Sequence, residues 1–290
     1  MKKIRTFLLL ALALFVTVCS GAQVTSQSID LEPAVEPNSQ VVLISEVKWE
    51  QLNPARGDQS PKAGNLWGDR TSPEPAGFLL KPVDGFKSPP HIHNIAYRGV
   101  VISGTIHNDD PNAEEMYMPT GSFWTQPAGG VHITAAKGSN TLAYIEVEDA
   151  FGVLPAEEAF YSEDRPINVD ASNIVWIDQP GMPASDNGLK VAFLWGNPQD
   201  DQLYGSLVKL PAGFTGKIRS YGSKFHAVTI KGQPKHRVPG DIEIKTLEPG
   251  SYFGSKGESV HQVSSKAGEE SIIYVRTDGK FEIIPAQPKK

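Results

Sequence analysis

Gly85-Phe86-Lys87-Ser88-Pro89-Pro90-His91-Ile92-His93 and, further on, Gly121-Ser122-Phe123-Trp124-Thr125-Gln126-Pro127-Ala128-Gly129-Gly130-Val131-His132 are the stretches that decide the fold. Three of the chain's seven histidines lie in them. Side chains on a strand alternate with period two, so a His-x-His pair puts both imidazoles on one face. A third histidine from a neighbouring strand completes a three-nitrogen face that suits a divalent metal. His91, His93 and His132 are therefore the candidate metal ligands.

The spacing resembles that of the cupin superfamily, whose pattern runs G-x5-H-x-H-x3,4-E-x6-G and then G-x5-P-x-G-x2-H-x3-N. Gly85, His91, His93 and Gly104 match the first motif, and Gly121, Pro127, Gly129 and His132 the second. Two positions depart from it. Tyr97 and Arg98 stand where the acid ligand falls, and Ala136 replaces the asparagine. The resemblance implies a double-stranded β-helix, or jelly-roll, barrel with a metal in its mouth.

Working outward, the chain repeats itself. Trp67-Gly68 recurs as Trp195-Gly196, and Gly77, Leu79, Lys81, Gly85 and Phe86 recur as Gly205, Leu207, Lys209, Gly213 and Phe214, all 128 positions later. Val100, Ile102 and Gly104 return as Val228, Ile230 and Gly232, and Gly121 and His132 map to Gly250 and His261 with one residue added. Short β-branched and aromatic runs such as Val41–Ile44, Val100–Ile102 and Ser271–Val275 are punctuated by Gly, Pro, Asn and Asp, the pattern of many short strands. The expectation is an all-β chain of two tandem cupin barrels. Its parts are a signal peptide (1–22), an N-terminal arm (23–40), a first cupin domain with the metal site (41–155), a connector (156–172), a second cupin domain with a degenerate site (173–285) and a tail (286–290). Ala156 to Tyr161 is the one place where a turn or two of helix is expected.

Lys2, Lys3 and Arg5 precede a continuous apolar stretch from Phe7 to Val18, then small residues up to Ala22. This reads as a secretory signal cleaved after Ala22, which predicts a periplasmic or secreted protein. Cys19 invites a lipoprotein reading, but Val18 stands where lipoprotein signals carry a small residue. No other segment reads as a membrane span. Cleavage would take the formal net charge from −6 to −9, with 24 basic against 33 acidic residues, which argues against nucleic acid as a partner. Cys19 is the only cysteine, so the mature chain would have no thiol or disulfide chemistry.

Three neutral histidines leave a dication's charge uncompensated, which favours a small anionic molecule as ligand. Zn²⁺ or Fe²⁺ suits the set best, with Mn²⁺, Ni²⁺ or Cu²⁺ as further choices. Arg98 either points inward and clamps an anionic substrate beside the metal, or pairs with an acid such as Glu114, Glu115 or Glu146. Tyr97 either donates a proton or packs in the core. Met116, Met118, Phe123 and Trp124 read mainly as core, with Gln126 as a polar contact reaching the pocket. His107 reads as part of a turn.

At an unbroken offset of 128, Arg219 and Tyr221 take the places of His91 and His93, and His226 that of Arg98. Arg219, Tyr221, His226 and His261 then form either a polar ligand pocket or the remains of a lost site. His236, between Lys235 and Arg237, reads as exposed loop.

Cupins host many chemistries, so fold does not fix function. The acid-free three-histidine set resembles the sites of thiol and β-diketone dioxygenases and of zinc-binding sensor cupins. The layout, with its histidine pair in the first half only, resembles a group of secreted bacterial bicupins classed as a domain of unknown function. A metalloenzyme, dioxygenase-like or hydrolase/isomerase-like, is one implied reading. A non-catalytic metal-dependent binding or sensing protein is another, and a metal that only staples the barrel is a third. Homodimer formation is a weaker implication of the resemblance.

Overall fold

The computed structural model describes residues 38–179, 188–198, 202–238 and 242–286. The expected signal peptide, nearly all of the expected arm, and residues 287–290 of the tail lie outside the described residues. The described chain is built from β-strands, joined by turns and four short 3-10 segments. One of these, Ala156–Glu158, falls within Ala156 to Tyr161, where a turn or two of helix is expected, and makes one short turn.

Two seven-stranded sheets repeat one another. In the first, the strand order is Ile167–Val169, Phe123–Gln126, Tyr97–Asp109, Ile133–Val147, Ala76–Lys81, Lys62–Trp67 and Glu50–Gln51. In the second it is Ser39–Val42, Tyr252–Lys256, Lys224–Lys231, Ser271–Thr277, Tyr204–Leu210, Lys190–Trp195 and Ile177–Asp178. Each sheet is one wall of a barrel. The second barrel is closed by a five-stranded sheet that includes Thr215–Ser220, Ser259–Ser264 and Phe281–Pro285. In the first barrel the long strands Tyr97–Asp109 and Ile133–Val147 shift register near Val101 to Thr105 and continue into the other wall. The ribbon His91–His93 with Val153–Pro155 completes that wall.

Side-chain alternation sorts the apolar residues into three cores. Phe78, Tyr97, Val101, Ile106, Trp124 and Ile145 fill the first barrel. Val208, Phe225, Phe253, Ile273 and Ile283 fill the second. Between the two sheets, Leu79, Val100, Ile102 and Tyr144 meet Leu207, Val228, Ile230 and Tyr274 in one shared core. Within this layer the repeat is kept in atomic detail. The Trp67 indole N–H donates to the Tyr144 hydroxyl at 3.0 Å, and Trp195 to Tyr274 at 2.9 Å. Gly77 and Gly205 lie against these indoles, where a Cβ would collide with Trp67 or Trp195; that is why the sequence repeats a glycine there.

The barrels also exchange strands. Ser39–Val42, at the start of the first repeat, pairs antiparallel with Tyr252–Ser255 of the second. Ile167–Val169, its counterpart 128 residues later, pairs with Phe123–Thr125 of the first. Each barrel is therefore completed by a strand from outside its own stretch of sequence, and the expected domain limits cut across two pairings.

Candidate metal centre

His91 and His93 sit on the short strand His91–His93, and His132 is bridged to His91 by a pair of backbone hydrogen bonds of 3.0 Å each. The nitrogens that could ligate all lie within 4.8 Å of one another. Ring centroids are 4.3 Å apart for His91 and His132, and 5.1 Å for His93 with either of the others. Among the described residues, no carboxylate joins this group.

The backbone fixes which nitrogen is free. Nδ1 of His91 lies 3.0 Å from the Pro89 carbonyl, Nδ1 of His93 2.8 Å from that of Gly152, and Nδ1 of His132 3.0 Å from that of Gly130. A carbonyl only accepts, so each Nδ1 carries the proton and each Nε2 keeps its lone pair. This is the outer-shell arrangement that orients ligating histidines. His132 Nε2 is buried and has no hydrogen-bond partner. An orphaned buried acceptor is costly and calls for an explanation; a divalent ion shared by the three Nε2 atoms supplies one, so the donor set fits a metal. Burial also keeps the rings neutral. It pushes His132 down to about 3, with the neighbouring His91 adding to the shift. Burial, then His132 and His91, holds His93 well below the usual range, and His91 is lowered by burial. Ligands that are already deprotonated bind a metal without first losing a proton.

The second barrel shows why the sequence folds this way. There Ile218 faces His261, and Ile283 flanks it, as His91 faces His132 beside Pro155. Ile218 and Ser220 therefore hold the places of His91 and His93, and the expectation of Arg219 and Tyr221 there is corrected. Between Phe86 and His91 stand four residues, Lys87-Ser88-Pro89-Pro90; between Phe214 and Ile218 stand three. The extra residue shifts the strand by one, and a one-residue slip moves every side chain to the other face.

The four residues considered as a second ligand pocket are not brought together. Arg219 is exposed and ion-paired with Glu258, and the exposed Tyr221 hydroxyl donates to Glu282 at 2.9 Å. His226 lies in the layer between the barrels, stacked on Trp67 at 4.0 Å and hydrogen-bonded through Nδ1 to the Tyr252 hydroxyl at 2.9 Å. Only His261 is inside the second barrel. Its Nδ1 lies 3.0 Å from Nε2 of His236, and its Nε2 contacts the Ser255 and Ser259 hydroxyls at 3.1 and 3.3 Å. No ring nitrogen of His261 is left free. His236 is thus not exposed loop but buried, at 2 % exposure. The flanking Lys235 and Arg237 were the signal, because charge-His-charge is what an amphipathic strand looks like.

Tyr97 and Arg98 part company because they are neighbours on a strand. Tyr97 faces the barrel interior, 5.0 Å edge-on from His93. Its hydroxyl donates to Asn108 Oδ1 at 2.8 Å, and burial raises its pKa to about 12. It is a fixed donor, not a base at neutral pH. Arg98 faces the other barrel, over the Trp195 ring at 3.8 Å, 3.1 Å from Glu148 and 3.8 Å from Glu146. The pairing with Glu146 is the arrangement found, and Arg98 is not placed to clamp a substrate at the histidines.

Asn108 and Gln126 link Tyr97 to His132. Asn108 Oδ1 also accepts from Thr134 at 2.8 Å, and its Nδ2 donates to Gln126 Oε1 at 3.0 Å. Gln126 Nε2 donates at 3.1 Å to the Gly130 carbonyl, the one that orients His132. Asn108→Ala leaves two buried hydroxyls without their acceptor, and should cost about 2–3 kcal/mol of stability by urea unfolding. A loss under about 0.5 kcal/mol would mean that water replaces the side chain. His107, the residue before Asn108, lies on the strand Tyr97–Asp109 and not in the turn expected for it; it is buried beside Tyr117 and takes no part in the cluster. Met118, Phe123 and Trp124 are core as expected, whereas Met116 is exposed.

Among protein families, the one described as Domain of unknown function (DUF4437) matches residues 40–284. No curated protein matches the chain. A crystal structure of a candidate dioxygenase from Nostoc punctiforme PCC 73102 aligns with a TM-score of 0.62 and 14 % identity, covering 88 % of this chain and 89 % of that one. AerE from Microcystis aeruginosa aligns at 0.53 and 12 % identity, covering 82 % and 97 %. A mutant of Bacillus subtilis oxalate decarboxylase aligns at 0.53 and 12 % identity, covering 87 % and 80 %. These likenesses show a shared fold, and the fold is that of two tandem cupin barrels. Among the described residues, no helix is long and apolar enough to cross a membrane.

Proposed function

We propose a function for this chain, which belongs to the DUF4437 family: it is an exported metalloenzyme whose first barrel acts on a small anionic organic molecule. The observation that carries the reading is the set of three imidazoles with every Nδ1 tied to a carbonyl and the Nε2 of His132 left without a partner. His91, His93 and His132 would hold one divalent ion, Fe²⁺ or Zn²⁺ before Mn²⁺, Ni²⁺ or Cu²⁺. When bound, such an ion supplies Lewis-acid polarisation and a lowered pKa for bound water, or in the case of iron a site for oxygen chemistry.

The chain's own residues set the rest. The three neutral histidines bring no negative charge, and no carboxylate joins them among the described residues, which favours an anion in the open positions. Phe151, stacked on His93 at 4.3 Å, gives the site an apolar wall. Tyr97 stays protonated and orders the Asn108–Gln126 chain behind His132. The lack of a carboxylate base in the cluster also supports a second reading, a metal-dependent binding protein without turnover.

The test is metal content by elemental mass spectrometry on protein purified from the periplasm, beside a His91→Ala/His132→Ala variant. About one equivalent in the wild type and none in the variant is expected, on a chain whose intact mass starts at Gln23. Iron would direct the next step to oxygen-uptake screens, and zinc to hydrolysis and ligand-binding assays; binding without turnover would select the second reading. Wild-type protein that takes up none of Fe²⁺, Zn²⁺, Mn²⁺, Ni²⁺ or Cu²⁺ on reconstitution would end both.

A further inference from the structure

We infer that the second barrel positions the metal centre of the first, through Arg276 and Arg98 gripping Glu148 and so fixing the strap that holds His93. This rests on the reading of the three histidines as a metal centre. Glu148 follows the strand Ile133–Val147 directly. One of its carboxylate oxygens lies 3.1 Å from Arg98 Nη1, the other 2.9 Å from Arg276 Nη2. Arg276 comes from the second barrel, and its side chain is 3 % exposed. The grip is braced from both sides. Arg98 of the first barrel lies over Trp195 of the second at 3.8 Å, and Arg276 of the second over Trp67 of the first at 5.0 Å.

Three and four residues beyond Glu148, the strap reaches the site. The Phe151 ring stacks on His93 at 4.3 Å and 23°, and the Gly152 carbonyl accepts from His93 Nδ1 at 2.8 Å. In between, Asn94 donates to the Ala150 carbonyl at 2.9 Å, Gly152 N–H donates to Asn94 at 2.7 Å, and Phe151 N–H donates to the Arg70 carbonyl at 2.7 Å. The orientation of His93 thus depends on a segment whose start is clamped by a residue of the other barrel. Outer-shell partners of this kind set ligand orientation and metal affinity. A barrel that has isoleucine and serine in place of its own histidine pair would keep its value to the chain in this way.

The test uses the full chain with Glu148→Gln, Arg276→Met and, as control, Val228→Ala, which opens a cavity in the shared core without touching the ion pairs. Two readouts are needed. Zn²⁺ affinity by chelator competition should fall about tenfold or more in the first two variants and stay at the wild-type value in Val228→Ala, though all three lose stability. In apo protein, long-range ¹⁵N–¹H spectra of the imidazoles should show His93 as the Nδ1–H tautomer in the wild type and control, and a mixture in the clamp variants. Wild-type affinity together with an unchanged His93 tautomer in both clamp variants would overturn the inference. If the wild-type chain binds no metal yet the tautomer still moves, the positioning role stands and the metal reading falls.

Discussion

Glu146→Ala is expected to lower the free energy of unfolding by about 3–5 kcal/mol, the cost of breaking a buried ion pair by removing one partner. The Glu146 side chain is 1 % exposed and sits in the layer between the barrels, with Arg276, 3 % exposed, 3.8 Å away. Arg98 Nη1 is also 3.8 Å from the same oxygen, and the Tyr144 hydroxyl donates to the other at 3.3 Å. Burial pushes the Glu146 carboxyl above its usual range, against the pull of Arg276 and Arg98. The pair is therefore strained by desolvation while intact, and its value lies in mutual dependence. Without Glu146, Arg276 keeps only Glu148, which is half-exposed. Urea unfolding of Glu146→Ala, Arg276→Met and Glu146→Leu/Arg276→Met would separate these effects. The double variant should lose less than the sum of the two singles, because replacing both partners leaves no charge unpaired. Strict additivity would show that the two groups do not depend on each other.

The three-histidine cluster was legible in the sequence because the spacing of His91, His93 and His132 is local and strand geometry does the rest. His91 and His93 share a face by alternation, and the glycines and proline of the second motif bring His132 beside them. The internal repeat gave two barrels for the same reason, since Trp67, Gly77 and Gly85 each reappear with their local surroundings. What stayed hidden depends on register and on contact across the chain. A constant offset of 128 placed Arg219 and Tyr221 at the lost site, but the added residue among Lys87 to Pro90 makes the true counterparts Ile218 and Ser220. One residue is a small change in an alignment and a complete change of face in a strand. Arg98 sat at the right position in the motif, yet its neighbour Tyr97 already faces the barrel interior, so the guanidinium had to face the other way. Its partners Glu148 and Trp195 are 50 and 97 positions distant, and no local pattern announces them. The exchange of Ser39–Val42 and Ile167–Val169 is of the same kind, because a strand's sequence does not say which sheet edge it joins.

Mild acid should unfold the apo protein, because histidines held neutral by the fold take up protons once unfolded: two lie in the second repeat, and with no metal bound His91, His93 and His132 of the first add to them. Burial takes His226 down to about 3, with Arg276, Lys224 and Lys256 adding to the shift and Asp278 opposing it. Burial also takes His261 down to about 3, with His236 adding to the shift. Both fall from an ordinary 6.5. The folded state therefore resists a proton that the unfolded chain accepts readily. Their contribution is whole above 6.5 and drains away as the pH falls toward 3. Each histidine costs about 1.4 kcal/mol per pH unit over that range. At about pH 4.5 the two together remove about 5 kcal/mol, a loss comparable with the whole stability of many domains. Glu146 works in the opposite sense, since its raised carboxyl takes up a proton more easily folded than unfolded, but it is one group against several histidines. Circular dichroism of the apo protein across pH should show cooperative unfolding between about pH 6 and 4. His226→Gln keeps a hydrogen-bonding group beside Tyr252 and removes one titrating ring, so its midpoint should move to lower pH and its transition become shallower. Superimposed curves for wild type and variant, both with midpoints below about pH 3, would assign acid unfolding to the carboxylates instead.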